Sequence, residues 1–163
     1  AVWTALADGT LAAGGLPCGY KAIDSLRAEK GYRYWGSDVT PDETPYEAGL
    51  GFCVRMDKDG GFLGREALVG QDEPDRRLAC VTLSDLRQLV LGNEPVRVGG
   101  VTVGRVTSGG SGHTVGASIA FAYLPAASAA VGTAVEVLVF GEWVPGLVAE
   151  DTLHDPTGER LRA

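Results

Sequence analysis

The side chains that could do chemistry in this sequence are few, and their spacing scatters them. Asp42-Glu43 and Glu150-Asp151 are adjacent carboxylates, the kind of pair that can share a proton and serve as acid and base. Neighbouring side chains in a strand or loop point apart, however, so solvated surface is the favoured reading of both pairs. His113 and His154 have no acidic or thiol neighbour at ligand spacing, and Cys18, Cys53 and Cys80 lie far from one another; no metal ligand is assigned. A nucleophile elbow, a Ser/His/Asp set and a Cys/His pair are all missing, so no catalytic residue is assigned. Gly109-Gly110-Ser111-Gly112-His113 lacks the lysine and the strand-to-helix setting of a phosphate loop, and is expected to be a flexible hairpin end.

Two features do suggest a ligand. Tyr32, Tyr34 and Trp35 follow one another closely with Arg33 among them; flat aromatic faces can stack on a conjugated ring such as a pterin, although such clusters more often close a core. Glu47 lies between Pro45 and Ala48-Gly49-Leu50-Gly51, where small residues admit close backbone approach and a carboxylate needs partners. Its favoured role is to accept backbone N–H or arginine hydrogen bonds that fix the loop, with ligand contact as the alternative.

Positioning these residues falls to a helix, an ordered loop and a run of strands. Val2, Trp3 and Leu6 share a face at helical spacing, and a second helix is predicted between Gly19 and Gly31, where glycine can take positive φ beyond the helix end. Ala22, Ile23 and Leu26 give it a narrow apolar stripe; Asp24 and Arg27 can pair on its other side. Asp38, Pro41, Asp42 and Pro45 predict an ordered loop over 37–47. Residues 49–56 alternate like a strand, 64–68 suggest a helical turn, and 70–77 form a polar linker. Beyond it come short β-branched runs closed by glycine. A strand over 78–83, a hairpin of 96–98 and 101–103 across Gly99-Gly100, a strand over 118–123, and a hairpin of 135–140 and 143–149 across Gly141-Glu142 are expected. So many short strands argue for a closed or nearly closed antiparallel barrel.

The net charge of -7 leaves no footprint for a polyanion, so nucleic acid is not an expected partner. No apolar run approaches the roughly 20 residues of a membrane span, and no basic start precedes an apolar signal. A soluble, cytoplasmic chain with small buried or half-buried thiols is expected, with no membrane partner. The chain opens without methionine in what sounds like mid-helix, which leads to the expectation of a piece from a longer polypeptide.

Several motifs occur in an order that resembles the glycine-cleavage aminomethyltransferase family. They are Asp24-Ser25-Leu26-Arg27-x-Glu29-Lys30-Gly31, Thr44-Pro45-Tyr46-Glu47-Ala48-Gly49-Leu50-Gly51, Val103-Gly104-x-Val106-Thr107-Ser108-Gly109, Ile119-Ala120-Phe121-Ala122-Tyr123-Leu124 and Asp155-Pro156-x-Gly158-Glu159-Arg160-Leu161-Arg162. The version is most similar to that at the C-terminal end of flavin-dependent dimethylglycine and sarcosine dehydrogenases and oxidases. The resemblance implies an α+β chain: a short helical and looped portion, residues 1–70, left from a folate-binding domain, then a C-terminal antiparallel, Greek-key-like β-barrel over 71–163.

It further implies tetrahydrofolate as cofactor, FAD only in an upstream domain, a small N-methyl amine as donor, and a missing N-terminal domain as partner. The family's catalytic aspartate and pterin-binding glutamate would both lie ahead of Ala1. By position, Tyr32 and Trp35 look like residues that could line the folate pocket, with Arg27 and Glu47 as scaffolding. Ile23 stands where simple aminomethyltransferases carry a folate-contacting arginine, and Thr152 and His154 where similar proteins have proline and tyrosine. A noncatalytic docking or structural barrel, and a folate-dependent demethylase using another methyl donor such as a sulfonium compound, remain as alternatives.

Overall fold

The computed structural model describes residues 1–83 and 85–162. Two helices come first, α1 (Val2–Ala12) and α2 (Tyr20–Glu29), followed by a long looped segment. Six strands follow among the described residues, before a C-terminal tail: β1 (Arg76–Leu83), β2 (Pro95–Val98), β3 (Val101–Gly112), β4 (Ala117–Pro125), β5 (Ala134–Val139) and β6 (Glu142–Ala149). Every pairing among these six strands is antiparallel, and the order β1-β4-β3-β2-β5-β6 closes on itself. Strands β2, β3 and β4 form a meander with β1 beside β4, the Greek-key arrangement. Closure through β6 onto β1 removes the exposed edges that an open sheet would present.

Alternation along β1 and β4 explains why a helix sits outside this barrel. Ala79, Val81 and Leu83 of β1 and Ala120, Ala122 and Leu124 of β4 join Val96, Val106, Val137 and Val148 in the main core. The intervening residues, Leu78 and Cys80 with Ile119 and Phe121, are buried in a second cluster together with Ala28 of α2. Successive side chains leave a strand on opposite faces, so both faces of β1 and β4 are covered and the two strands read as nearly unbroken apolar runs. Helix α1 buries none of its residues, and no described helix is long and apolar enough to cross a membrane.

The turn between β2 and β3 is the expected one: Gly99 and Gly100 both take positive φ, 57° and 83°, as a primed hairpin turn requires. The second hairpin turns one residue earlier than its sequence suggests. Val139 pairs with Glu142, so Phe140 and Gly141 form the loop, at φ 48° and 92°.

Three other expectations give way to packing. Residues 49–56 are not a strand: Gly49 takes a φ of +71°, a 3-10 turn follows (Gly51–Cys53), and Gly51 lies against the Tyr46 ring. Gly109 and Gly110 lie inside β3, and Gly112 is its last residue, pairing with Ala117 where the β3–β4 hairpin closes, so the expected hairpin end begins only at Gly112. Gly109 backs onto Val90 and Gly112 onto Ile119, where a side chain would collide, so glycine serves close approach here. Of the cysteines only Cys80 is buried, its thiol pushed up to about 12 by burial, while Cys18 and Cys53 are exposed.

Strand β3 bulges where Val96 pairs with Gly104 but Arg97 with Thr102, and a Cβ at Gly104 would collide with the Tyr123 carbonyl oxygen. Gly104→Ala is expected to cost about 1–3 kcal/mol in urea denaturation. Gly110→Ala meets nothing within 4 Å and should stay within about 0.5 kcal/mol of the parent.

Candidate functional site

Helix α2 ends at Glu29 with Lys30 as its cap, and Gly31, at a φ of +73°, turns the chain out of the helix. The Tyr32 N–H donates to the Arg27 carbonyl and the Gly31 N–H to that of Ala28, the paired closure of a Schellman end. Tyr32 is thereby delivered to the surface, 56% exposed. The absent side chain at Gly31 also lets another segment pass, since a Cβ there would collide with the Asp151 carbonyl oxygen.

The aromatic turn that follows is held by Asp38, which is completely buried. Its Oδ1 accepts from the hydroxyls of Thr107 at 2.5 Å and Ser108 at 2.6 Å. Its Oδ2 accepts from Arg27 Nη1 at 2.8 Å and from the Tyr34 N–H at 2.9 Å, and its backbone carbonyl accepts the Tyr123 hydroxyl at 2.8 Å. One carboxylate thus joins α2, the aromatic turn and β3. The Arg27 guanidinium lies 5.5 Å from the Tyr34 ring centre and 5.9 Å from that of Phe121, contacts that favour a desolvated cation. The expected Asp24–Arg27 pair is only a loose 3.9 Å contact, because the water-excluded carboxylate attracts the guanidinium more strongly than an exposed one.

Asp38 and Glu29 both escape a reading of the sequence. Asp38 stands among turn-forming residues and looks like one more of them. Glu29 does carry a signal, since an acid in the last turn of a helix opposes the negative end of its dipole and must find donors elsewhere. Its Oε1 accepts the N–H groups of Thr114 at 2.6 Å and Val115 at 3.2 Å, in the turn between β3 and β4.

Glu47 anchors a different part of the loop. The Thr44 N–H donates to Glu47 Oε2 at 2.7 Å and the Glu47 N–H to Thr44 Oγ1 at 3.1 Å, a reciprocal capping box. Thr40 and Glu43 repeat half of it four residues earlier, in a second Thr-Pro-x-Glu. Both glutamates reach Arg76 at the start of β1, Glu47 at 2.7 Å and Glu43 at 3.5 Å, and Arg76 stacks on the Tyr123 ring at 4.8 Å. Burial works to raise the Glu47 carboxyl, but the Thr44 N–H and Arg76 outweigh it and hold it below the usual range. In each adjacent carboxylate pair one member is thus taken by an arginine, Glu43 by Arg76 and Asp151 by Arg33 at 2.5 Å.

Around Tyr32 the surface closes into a mostly apolar pocket of about 410 Å³. Ile23, Leu26, Arg27 and Tyr32 line one side, and His154, Arg160 and Leu161 of the C-terminal tail line the other. The apolar stripe of α2 is spent here: Ile23 and Leu26 are 59% and 60% exposed, and the helix packs on the barrel through Ala28 instead. Of the four residues singled out from the sequence, the pocket brings together Arg27 and Tyr32. Trp35, 70% exposed, and Glu47 are not part of its lining. A larger concavity of about 1080 Å³ lies in the 45–68 loop and contains none of the four. Among the described residues, no three His, Cys, Asp or Glu side chains converge as metal ligands.

Compared with known proteins, residues 76–155 match the profile described as glycine cleavage T-protein C-terminal barrel domain, and residues 1–58 that of the GCVT N-terminal domain. The chain is 44% identical over 146 residues to the 4-methylaminobutanoate oxidase (formaldehyde-forming) of Paenarthrobacter nicotinovorans, covering 88% of this chain and 18% of that one. It is 40% identical over 156 residues to an aminomethyltransferase of Symbiobacterium thermophilum, covering 94% and 41%. To the mitochondrial dimethylglycine dehydrogenase of Homo sapiens it is 36% identical over 148 residues, covering 88% and 17%. The crystal structure of the glycine cleavage system aminomethyltransferase T of Bartonella henselae superposes with a TM-score of 0.75 at 30% identity, covering 83% of this chain and 38% of that one. The chain therefore spans between 17% and 41% of the length of these curated relatives.

Asp38→Asn keeps the side-chain shape but removes the charge against which Arg27 is buried, and is expected to cost about 3–5 kcal/mol in guanidinium denaturation. Glu47 makes a pH prediction. Its folded-state value lies below its ordinary 4.5, so its contribution is complete above the ordinary value and disappears as pH falls through the lowered one. Thermal unfolding followed from neutral pH into acid should fall more steeply for the parent than for Glu47→Gln; parallel curves would show that the Arg76 contact does not hold the charge.

Proposed function

Because this chain belongs to the glycine cleavage T-protein family, we propose that it serves tetrahydrofolate-dependent one-carbon transfer, as an outer wall of the folate site. The donor in this reading is a small N-methyl amine such as dimethylglycine or sarcosine, oxidised in an FAD-bearing portion of a longer polypeptide. The reacting aspartate and the pterin-binding glutamate are assigned to polypeptide beyond this chain.

The observation that carries the reading is the pocket beside Tyr32. Its volume lies within the range of small-molecule sites. Apolar Ile23 and Leu26 and the aromatic Tyr32 suit a flat ring, and the Arg160 cation beside them suits a carboxylate-bearing tail. Tetrahydrofolate combines both features, and when bound its nitrogens accept the one-carbon unit. The chain's own part is to bind and orient the carrier, with Arg27 and Asp38 keeping Tyr32 and α2 in register and Glu47 steadying the loop behind them.

A docking module is the second reading, favoured by helix α1, in which Val2 and Trp3 are 75% exposed and no residue is buried. Calorimetry with tetrahydrofolate separates the two. Tyr32→Ala is expected to raise Kd at least about tenfold, a loss near 1.4 kcal/mol, and Trp35→Ala to leave it within about twofold. Unchanged affinity in Tyr32→Ala, with weakened subunit or domain assembly, would favour docking. Product analysis with amine and sulfonium donors identifies the methyl donor.

A further inference from the structure

We propose that Lys30 is a positioning residue for the ligand pocket: it holds the C-terminal tail in place as the second wall, so that tail docking and ligand binding form one linked equilibrium. The identity of the ligand rests on the tetrahydrofolate reading above.

The last carbonyls of a helix have no partners within it, and at the end of α2 the tail supplies them for Glu29 and Lys30. The N–H groups of Leu153 and His154 both donate to the Glu29 carbonyl at 2.9 Å, and Thr152 Oγ1 donates to the Lys30 carbonyl at 3.3 Å. Leu153 packs against the cluster of Ala28 and Phe121. Lys30 closes the join from the helix side, its Nζ donating to Asp155 Oδ2 at 3.0 Å and to the backbone carbonyls of His154 and Asp155.

Three features make this contact directional rather than a surface ion pair. Both side chains are largely covered, Lys30 17% and Asp155 9% exposed. Asp155 takes a φ of +49°, the left-handed region that aspartate enters more readily than most non-glycine residues, and so turns the chain at the point of contact. Finally, Asp155 Oδ1 accepts the Glu159 N–H at 2.9 Å, which carries the geometry into the turn that sets Arg160 and Leu161 beside the pocket. The ammonium donors of one lysine thereby decide where His154 and Arg160 stand opposite Ile23 and Tyr32. A ligand touching both walls binds only the docked tail, and linkage makes the effect reciprocal: loosening the tail weakens the ligand, and the ligand tightens the tail.

Amide hydrogen exchange and calorimetry test this together, with tetrahydrofolate as the probe. In the parent, saturating tetrahydrofolate should slow exchange at the Leu153 and His154 amides by about tenfold or more. Lys30→Met should speed exchange at those two amides without ligand and raise Kd by a similar factor, about tenfold, while amides of β1 and β4 stay as protected as in the parent. Lys30→Arg should restore both measurements. If Lys30→Met does not fold, Asp155→Asn breaks the same pair from the tail side and is read by the same measurements. A fast-exchanging tail with unchanged Kd would overturn the proposal, making Lys30 merely structural, and would leave the folate reading standing. A parent protein that fails to bind tetrahydrofolate would overturn the folate reading, and the linkage with it.

Discussion

A carboxylate sealed from water must be matched by donors or remain protonated, and Asp38 is where this chain meets that demand. Its two oxygens receive four donors from α2, the aromatic turn and β3. The value of such a centre is less in raw stability, since buried ion pairs often do no better than apolar packing, than in excluding other arrangements. If α2 shifted along β3, or the 34–38 turn reorganised, Arg27 or Asp38 would lose its partner in a place water does not reach. The helix side of the pocket, α2 and the aromatic turn, inherits its position from that constraint.

The barrel supplies the wall on which this centre is built. Its interior is filled with alanine, valine and leucine side chains, as a small barrel must be, so a ligand has to bind outside it. The outward residues of β1 and β4 are apolar as well, and Ala28 of α2 covers them. With the helix turned that way, Ile23 and Leu26 are left facing out, and the tail comes back across the helix end to make a pocket of what would otherwise be an exposed stripe. The tail needs Gly31 for this, since any side chain there would meet the Asp151 carbonyl.

The parts of the fold that were legible in the residues are those set by neighbours in sequence. A Gly-Gly pair between β-branched runs makes the β2–β3 turn, glycine after Glu29-Lys30 ends α2, and regular short apolar runs announce a barrel. Where that reading failed, distant packing had intervened. Residues 49–56 alternate well but have the Tyr46 ring against Gly51, and Gly109 is set by the close approach of Val90 within β3 rather than by a turn. The candidate site was legible in part: Arg27 and Tyr32 line one pocket, Glu47 takes the loop N–H and an arginine, but Trp35 stands apart from that pocket.

The sequence by itself determined the periods, the turn positions and the family resemblance, because strand alternation, helix spacing and glycine's positive φ are properties of residues a few places apart. Only the tertiary structure decided which face of α2 is buried, that Asp38 is a centre rather than a turn residue, and that the tail lines the pocket. Those outcomes depend on contacts between residues 27, 38 and 107–108, and between 29–30 and 152–155. A buried charge takes its meaning from partners that chain order does not reveal, and so does an exposed apolar stripe.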